Sequence, residues 1–137
     1  MTQKYSVLQF TDKGDERGKL VVIEGGKSIP FNIKRVFYIY GSDSTIVRGQ
    51  HANKKSEFVL INIAGQSEVR ITNGKEENII KLNKPMMGVY IPRMFWKDMY
   101  NFSKDSVLLV LASTHYDSED YIRDYNEYIR EMGIYQW

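Results

Sequence analysis

Turn-forming residues recur through roughly the first hundred positions at intervals that leave no room for a helix between them. They are Lys13-Gly14-Asp15, Gly25-Gly26, Gly41-Ser42-Asp43, Gly65-Gln66, Asn73-Gly74, Lys84-Pro85 and Asn101-Phe102-Ser103. Gly breaks regular structure by adopting positive φ, Pro by fixing φ and lacking an N–H, and Asn and Asp by bonding their own backbone. Between these breaks lie segments rich in β-branched and aromatic side chains: Leu20 to Glu24, Ile33 to Tyr40, Thr45 to Arg48, Glu57 to Ile63, Ser67 to Thr72, Ile79 to Leu82, Gly88 to Ile91 and Val107 to Ala112. Such side chains suit a pleated surface, so about eight or nine strands are expected. That many short strands with even spacing point to an all-β, antiparallel architecture, a barrel or a jelly roll. Asn73-Gly74 is the clearest hairpin signal, because the pair tolerates the positive φ of a type I′ turn.

One helix is expected, at the C-terminal end. Asp117 or Ser118 caps it, Glu119 and Asp120 complement its N-terminal dipole, and Tyr121, Ile122, Tyr125, Tyr128, Ile129 and Met132 repeat at helical spacing. Tyrosines at that spacing are packing residues, and the stripe is expected to lie on the barrel. In 137 residues, 42% hydrophobic and 13% aromatic side chains suffice for one core. The chain therefore reads as a single domain over residues 1–137, without linker, repeat or low-complexity segment.

Nineteen Lys+Arg against seventeen Asp+Glu leave a net charge of +2. The basic residues are scattered, which excludes the clustered footprint of a nucleic-acid-binding surface and leaves room for a small anionic ligand. The sequence has no Cys, which removes disulfides, thiolate metal sites and Cys nucleophiles and suits a reducing compartment. The opening MTQKYSVLQF has no charged stretch followed by an apolar one. Apolar runs reach about six residues, too short for a membrane span. The expectation is a cytoplasmic protein, neither exported nor membrane-inserted.

Only two histidines occur, His51 and His115. His115 falls in a polar turn and reads as a surface or packing residue. His51 lies in Arg48-Gly49-Gln50-His51-Ala52-Asn53, where extended backbone would put His51 and Asn53 on one face, with Glu57 two pleats further on. In a small barrel that face is the lumen. An imidazole titrates near neutrality and can remove and return a proton. Arg17, Arg35, Arg48, Lys54, Arg93 and Lys97 are the candidate cations for holding phosphates or an enolate oxygen. Gly49 would let a ligand approach closely beside Arg48.

The spacing of His51, Asn53, Glu57 and Gly65 resembles the first cupin motif, in which two histidines and a glutamate bind a metal inside a jelly roll. Here Asn53 replaces the second histidine, and no histidine follows Pro85-Met86-Met87-Gly88 before His115. One imidazole, one carboxylate and a weak amide are too few ligands for a stable transition-metal site. The reading is a metal-free cupin without a cofactor.

The stretches RGQHANKKSEFVL, LNKPMMGVYIPRMFWKDMYNFS, SVLLVLAS and HYDSEDYIRDYNEY, with SIPFNIKRVFYIY, resemble the sugar 3,4-ketoisomerases that act on dTDP-4-oxo-6-deoxyglucose. The resemblance covers essentially the whole chain. It implies a cupin jelly roll, no metal, a thymidine nucleotide sugar as ligand, and a homodimer that exchanges N-terminal strands. The alternating segment Lys4 to Phe10, ahead of the Asp12 to Gly18 turn region, suits such an exchanged edge strand. The products of this family feed 3-amino-3,6-dideoxysugars of bacterial surface glycans.

By position, the resemblance makes His51 the proton shuttle between carbons 3 and 4, working through an enediol, with Arg17 and Lys97 as further catalytic positions. It implies substrate contacts from Arg35, Phe37, Arg48, Asn53, Lys54, Tyr90, Arg93 and Trp96. The chain departs from the family where Asn53 replaces a histidine, Phe37 a tyrosine that relays protons between the sugar oxygens, and Phe58 a glutamine. With Phe37 unable to relay, water, Lys97 or the substrate's own hydroxyls must serve. Arg17 in the first Gly-flanked turn goes with a galacto product, whereas Lys97 is neither the His nor the Arg usual at its position. The rival expectations are a dTDP-sugar epimerase using the same base and a non-catalytic nucleotide-sugar-binding cupin.

Overall fold

The computed structural model describes residues 4–134; residues 1–3 and 135–137, the two ends of the expected domain, lie outside the described residues. Two five-stranded antiparallel sheets form the structure. The first has, in spatial order, β1 (Ser6–Gln9), β7 (Met87–Ile91), β4 (Phe58–Ala64), β9 (Val107–Ala112) and β2 (Arg35–Tyr40). The second has β10 (Tyr121–Ile122), β3 (Arg48–Asn53), β8 (Trp96–Tyr100), β5 (Ser67–Thr72) and β6 (Glu77–Leu82). The fold is the expected all-β jelly roll of the cupins, with one α-helix near the C-terminus.

Alternation along the strands divides the core into layers. Phe58 and Leu60 of β4, Val89 and Ile91 of β7 and Val110 and Ala112 of β9 meet Val69, Ile71 and Met99 of the second sheet between the sheets. Their neighbours Val59, Ile61, Tyr90 and Leu111 face the other side, where Phe10, Ile29 and Phe31 of the N-terminal arm cover them. A seven-residue helix, α1 (Tyr125–Glu131), is too short to persist alone. It is held by Tyr128 and Ile129, buried against Ala52, Trp96 and Ile122, burials worth about 1.5–3 kcal/mol each. No helix among the described residues is long and apolar enough to cross a membrane.

Several expected elements take a different form. Leu20 to Glu24 alternates as a strand does, yet joins nothing beyond a single bridge between Asp12 and Val21. The Asp12 carboxylate accepts from the N–H groups of Gly14 and Leu20 and folds this arm on itself, away from any neighbouring ladder. Thr45 belongs to a turn held by Asp43, so β3 starts only at Arg48. The β5–β6 hairpin exists, but residues 73–76 form its loop, with Gly74 at φ 93° and Asn73 at ordinary φ. The Asn73 side chain accepts from the N–H groups of Lys75 and Glu76, which selects this longer loop over the type I′ turn.

The expected helix start is also corrected. Asp117 caps a short 3-10 turn, Ser118–Asp120, and Tyr121 and Ile122 then pair with Asn53 and Ala52 as strand β10. Asp124 caps α1, accepting from the N–H groups of Asn126 and Glu127. Strand propensity missed β8, because Lys97 and Asp98 interrupt its apolar pattern. Both charges are buried and bonded, Lys97 to Asn53 and Asp98 to Arg70.

Candidate active site

A bulge in β3 builds the site. Arg48 is opposite Met99 and Gly49 opposite Asp98, but His51 rather than Gln50 is opposite Lys97. The extra residue lets Arg48 and His51 face the same side, which strict alternation forbids. Gly49 and Gln50 have φ of 82° and 56°. A Cβ on Gly49 would stand 3.0 Å from both the Lys97 carbonyl oxygen and the Met99 sulfur, so backbone conformation and close packing both require glycine.

Between the sheets this side opens into a cavity of about 360 Å³, lined by Phe37, Ile39, Arg48, His51, Phe58, Lys97, Tyr121 and Arg123 among others. The His51 ring meets Tyr121 edge to face at 4.9 Å, and its Nδ1 is buried with no hydrogen-bond partner. Burial, then the positive fields of Lys97 and Arg123, push the imidazole down to about 3 against smaller opposing effects of Asn53 and Asp120. The ring is therefore neutral at physiological pH and available as a base.

Lys97 is the opposite wall. Its Nζ donates to Asn53 Oδ1 at 3.1 Å and lies 4.7 Å from the Phe58 ring centre. Burial drives its ammonium down to about 7, although Asp120 opposes this. Asn53 Nδ2 donates to Asp120 Oδ2 at 2.9 Å, which fixes the amide so that its oxygen faces Lys97. Asp120 also accepts from Ser56 Oγ and the Lys55 N–H. Burial alone would raise its carboxyl, but the bonds from Ser56, Asn53 and Lys55 hold it below the usual range.

Arg35 stands behind Phe37 and Phe58, its guanidinium 5.6 and 5.8 Å from their ring centres. Nη1 donates to Tyr121 Oη at 3.3 Å, while Nε and Nη2 are buried without partners. The structure thus brings together His51, Lys97, Phe37, Arg48, Arg35 and Asn53. The sequence reading missed Asp120, Tyr121 and Arg123. All three sit in the DYIRDY stretch, read as helix, and only the pairing of Tyr121 with Asn53 brings them to the site.

Other expected residues lie elsewhere. Arg17 is exposed and bound to Asp15 in its own turn, outside the cavity lining. Lys54 and Arg93 are exposed neighbours, Arg93 Nη1 donating to the Lys54 carbonyl at 3.1 Å. Tyr90 faces the outer layer and donates to Glu57 Oε1, so neither of this pair enters the lumen where Glu57 was expected. Trp96 packs with Tyr125 and Tyr128 on the outside of the second sheet, and His115 is exposed. The donors of the cupin metal motif do not fit a metal ion. Glu57 is turned away, the Asn53 amide is engaged on both sides, and no group of three His, Asp or Glu side chains among the described residues could hold one.

Comparison with known proteins assigns the family. Residues 3–133 match the family described as FdtA, WxcM-like, C-terminal. A TDP-4-oxo-6-deoxy-alpha-D-glucose-3,4-oxoisomerase of Aneurinibacillus thermoaerophilus is 43% identical over 131 residues, 93% of this chain and 94% of that protein. A 3,4-ketoisomerase from Helicobacter canadensis superposes with a TM-score of 0.93 at 42% identity, covering 96% of this chain and 99% of the other. A mutant of the 3,4-ketoisomerase QdtA from Thermoanaerobacterium thermosaccharolyticum, in complex with TDP-4-keto-6-deoxyglucose, gives 0.92 at 45% identity and 96% of both chains. Their shared activity, the match along nearly the whole length and the jelly roll agree: the chain belongs to the family of sugar nucleotide 3,4-ketoisomerases, enzymes of the cupin fold.

Proposed function

We propose that this chain converts dTDP-4-oxo-6-deoxyglucose into a dTDP-3-oxo-6-deoxyhexose, with His51 moving the carbon-bound proton. The observation that carries this reading is a neutral, half-buried imidazole with an unpartnered nitrogen, beside a cavity ringed by Arg48, Lys97 and Arg123. His51 takes the proton from carbon 3, and the C–H pair becomes the double bond between carbons 3 and 4 as the 4-oxo oxygen turns into an enolate. A proton moves from the oxygen on carbon 3 to that on carbon 4. The carbon–carbon pair then takes the proton back from His51 at carbon 4, leaving the carbonyl at carbon 3. Carbon 3 is oxidised, carbon 4 is reduced, and the protein returns to its starting state.

The cationic wall suits both the diphosphate and the enolate. An anion bound beside Lys97 and Arg123 offsets their field and raises His51 toward its ordinary range, so the imidazole holds the abstracted proton better once substrate is bound. Arg35 supplies two further unused donors to substrate oxygens. The proposal extends to a single cytoplasmic domain, paired as a homodimer, whose product feeds a 3-amino-3,6-dideoxysugar of a surface glycan. An N-terminal arm exchanged between two copies would carry Arg17 to the other copy's cavity, which favours the galacto product. The test is incubation with dTDP-4-oxo-6-deoxyglucose and a 3-aminotransferase, the trapped aminosugar being identified by NMR. A 3-amino-3,6-dideoxygalactose derivative is expected, shifting toward gluco in Arg17→Tyr. Recovery of an epimerised 4-oxo sugar with no 3-oxo product would overturn the reading.

A further inference from the structure

Isomerisation moves two protons, one between carbons and one between oxygens, and a single imidazole engaged with carbon leaves the second unassigned. We propose that Lys97 carries the proton between the two sugar oxygens, an inference that rests on the function proposed above. Among the cavity-lining residues, Arg48, His51, Lys97, Tyr121 and Arg123 bear dissociable protons. Guanidinium groups do not give theirs up in proteins, which removes both arginines. Phe37 has no hydroxyl; its ring meets Phe58 edge to face at 6.5 Å and the Arg35 guanidinium at 5.6 Å. The Tyr121 hydroxyl only accepts from Arg35 in their shared bond, so it keeps its own proton and Tyr121→Phe is the necessary control. Of the two, Lys97 lies directly opposite His51 across the β3–β8 pair, with its Nζ held on Asn53.

The surroundings of Lys97 suit an amine that must both give and take a proton. Asn53 presents only an oxygen to it, since Asp120 holds the amide nitrogen, and that oxygen accepts equally from ammonium and from neutral amine. Phe58 shields another side. The charged or titratable groups around it are His51 and Arg48 on β3, Tyr121 on β10 and Arg123 after it, which line the same cavity, and Asp120 in the 3-10 turn. Asp120 is held from Lys97 by the Asn53 side chain, so no carboxylate traps the ammonium. The depression of Lys97 to about 7 by burial agrees with this geometry. In the step itself, the Lys97 ammonium gives a proton to the enolate oxygen on carbon 4. The resulting amine takes the hydroxyl proton from carbon 3 as the carbonyl forms there, which restores the ammonium.

The experiment follows wild type, Lys97→Met, Lys97→Arg and Tyr121→Phe by NMR in D2O, reading both product formation and solvent deuterium entering at carbon 3 of the 4-oxo substrate. In Lys97→Met the expected kcat for isomerisation falls about a hundredfold, while deuterium exchange at carbon 3 persists because His51 is intact. A variant that had merely lost its fold would lose both. The acid form of Lys97 is consumed as pH rises, so wild-type kcat/KM falls above about pH 7. Lys97→Arg keeps the charge and the fold but cannot release its proton, so it loses that basic limb and turns over no faster than Lys97→Met. If wild type isomerises and Lys97→Met matches it in kcat and pH profile, or Tyr121→Phe alone removes the basic limb, the relay is overturned. If wild type neither isomerises nor exchanges deuterium, the proposed function itself falls and the relay with it.

Discussion

His51 and Lys97 face each other across two strands, and the positive field of Lys97 adds to burial in depressing the charged form of His51. Two cations in one small cavity repel, so the site by itself resists holding both protons, and an anionic ligand relieves the repulsion. Replacing His51 by Asn removes the base but keeps a polar side chain of similar reach. Turnover is expected to fall by about two to four orders of magnitude, with the nucleotide still bound. His51 stands out in the sequence as the candidate base because so few alternatives exist: no Cys and one other His. Phe37 lines the cavity, and Asn53 lies behind Lys97, bonded to it and to Asp120. Tyr90, Trp96 and Glu57, expected there too, lie elsewhere, because which face of a strand turns inward depends on register and on which layer covers the other side. Tyr90 and Trp96 are aromatic and buried in packing layers outside the cavity, Tyr90 also donating to Glu57.

At the scale of elements, the deciding feature is the Gly49–Gln50 bulge. A period of two applied to RGQHAN sends Arg48 and His51 to opposite faces, whereas the inserted residue brings them to one. A bulge leaves little trace in a single sequence beyond a glycine, which was read as room for a ligand. Gly49→Ala forces an L residue into left-handed backbone at a cost of about 1–2 kcal/mol, and its methyl group presses on Lys97 and Met99. The variant is expected to melt several degrees lower, roughly 4–8 °C per kcal/mol for a chain somewhat smaller than this, and to lose turnover as His51 shifts. An unchanged melting temperature with full activity would remove the bulge from the account. The DYIRDY segment shows the converse case. Its spacing fits a helix, but Tyr121 and Ile122 gain more by completing the second sheet, and that long-range pairing brings Asp120 behind Asn53 and Arg123 to the cavity.

For the whole molecule, an antiparallel barrel or jelly roll was readable from turn spacing, since short strands with regular breaks have few ways to bury their faces, and the cupin resemblance chose the jelly roll. Quaternary structure is less local. β1 pairs with β7 of its own chain through four residues, a short edge strand that could form the same ladder with a second copy. On the opposite edge, Val36, Tyr38 and Tyr40 of β2 are exposed, a row of large side chains of the kind that association surfaces use. A dimer is the expected particle in light scattering at micromolar concentration, and a 16.1 kDa monomer there would contradict it.

The central claim is that His51 moves a proton between adjacent carbons of a bound 4-oxo sugar. It is tested most directly by proton NMR of dTDP-4-oxo-6-deoxyglucose in D2O, comparing wild type with His51→Asn. Wild type is expected to wash solvent deuterium into carbon 3 of the substrate and to build up a 3-oxo isomer, while His51→Asn binds the nucleotide sugar and leaves its carbon-bound protons in place. Exchange and isomerisation by His51→Asn at the wild-type rate would contradict it.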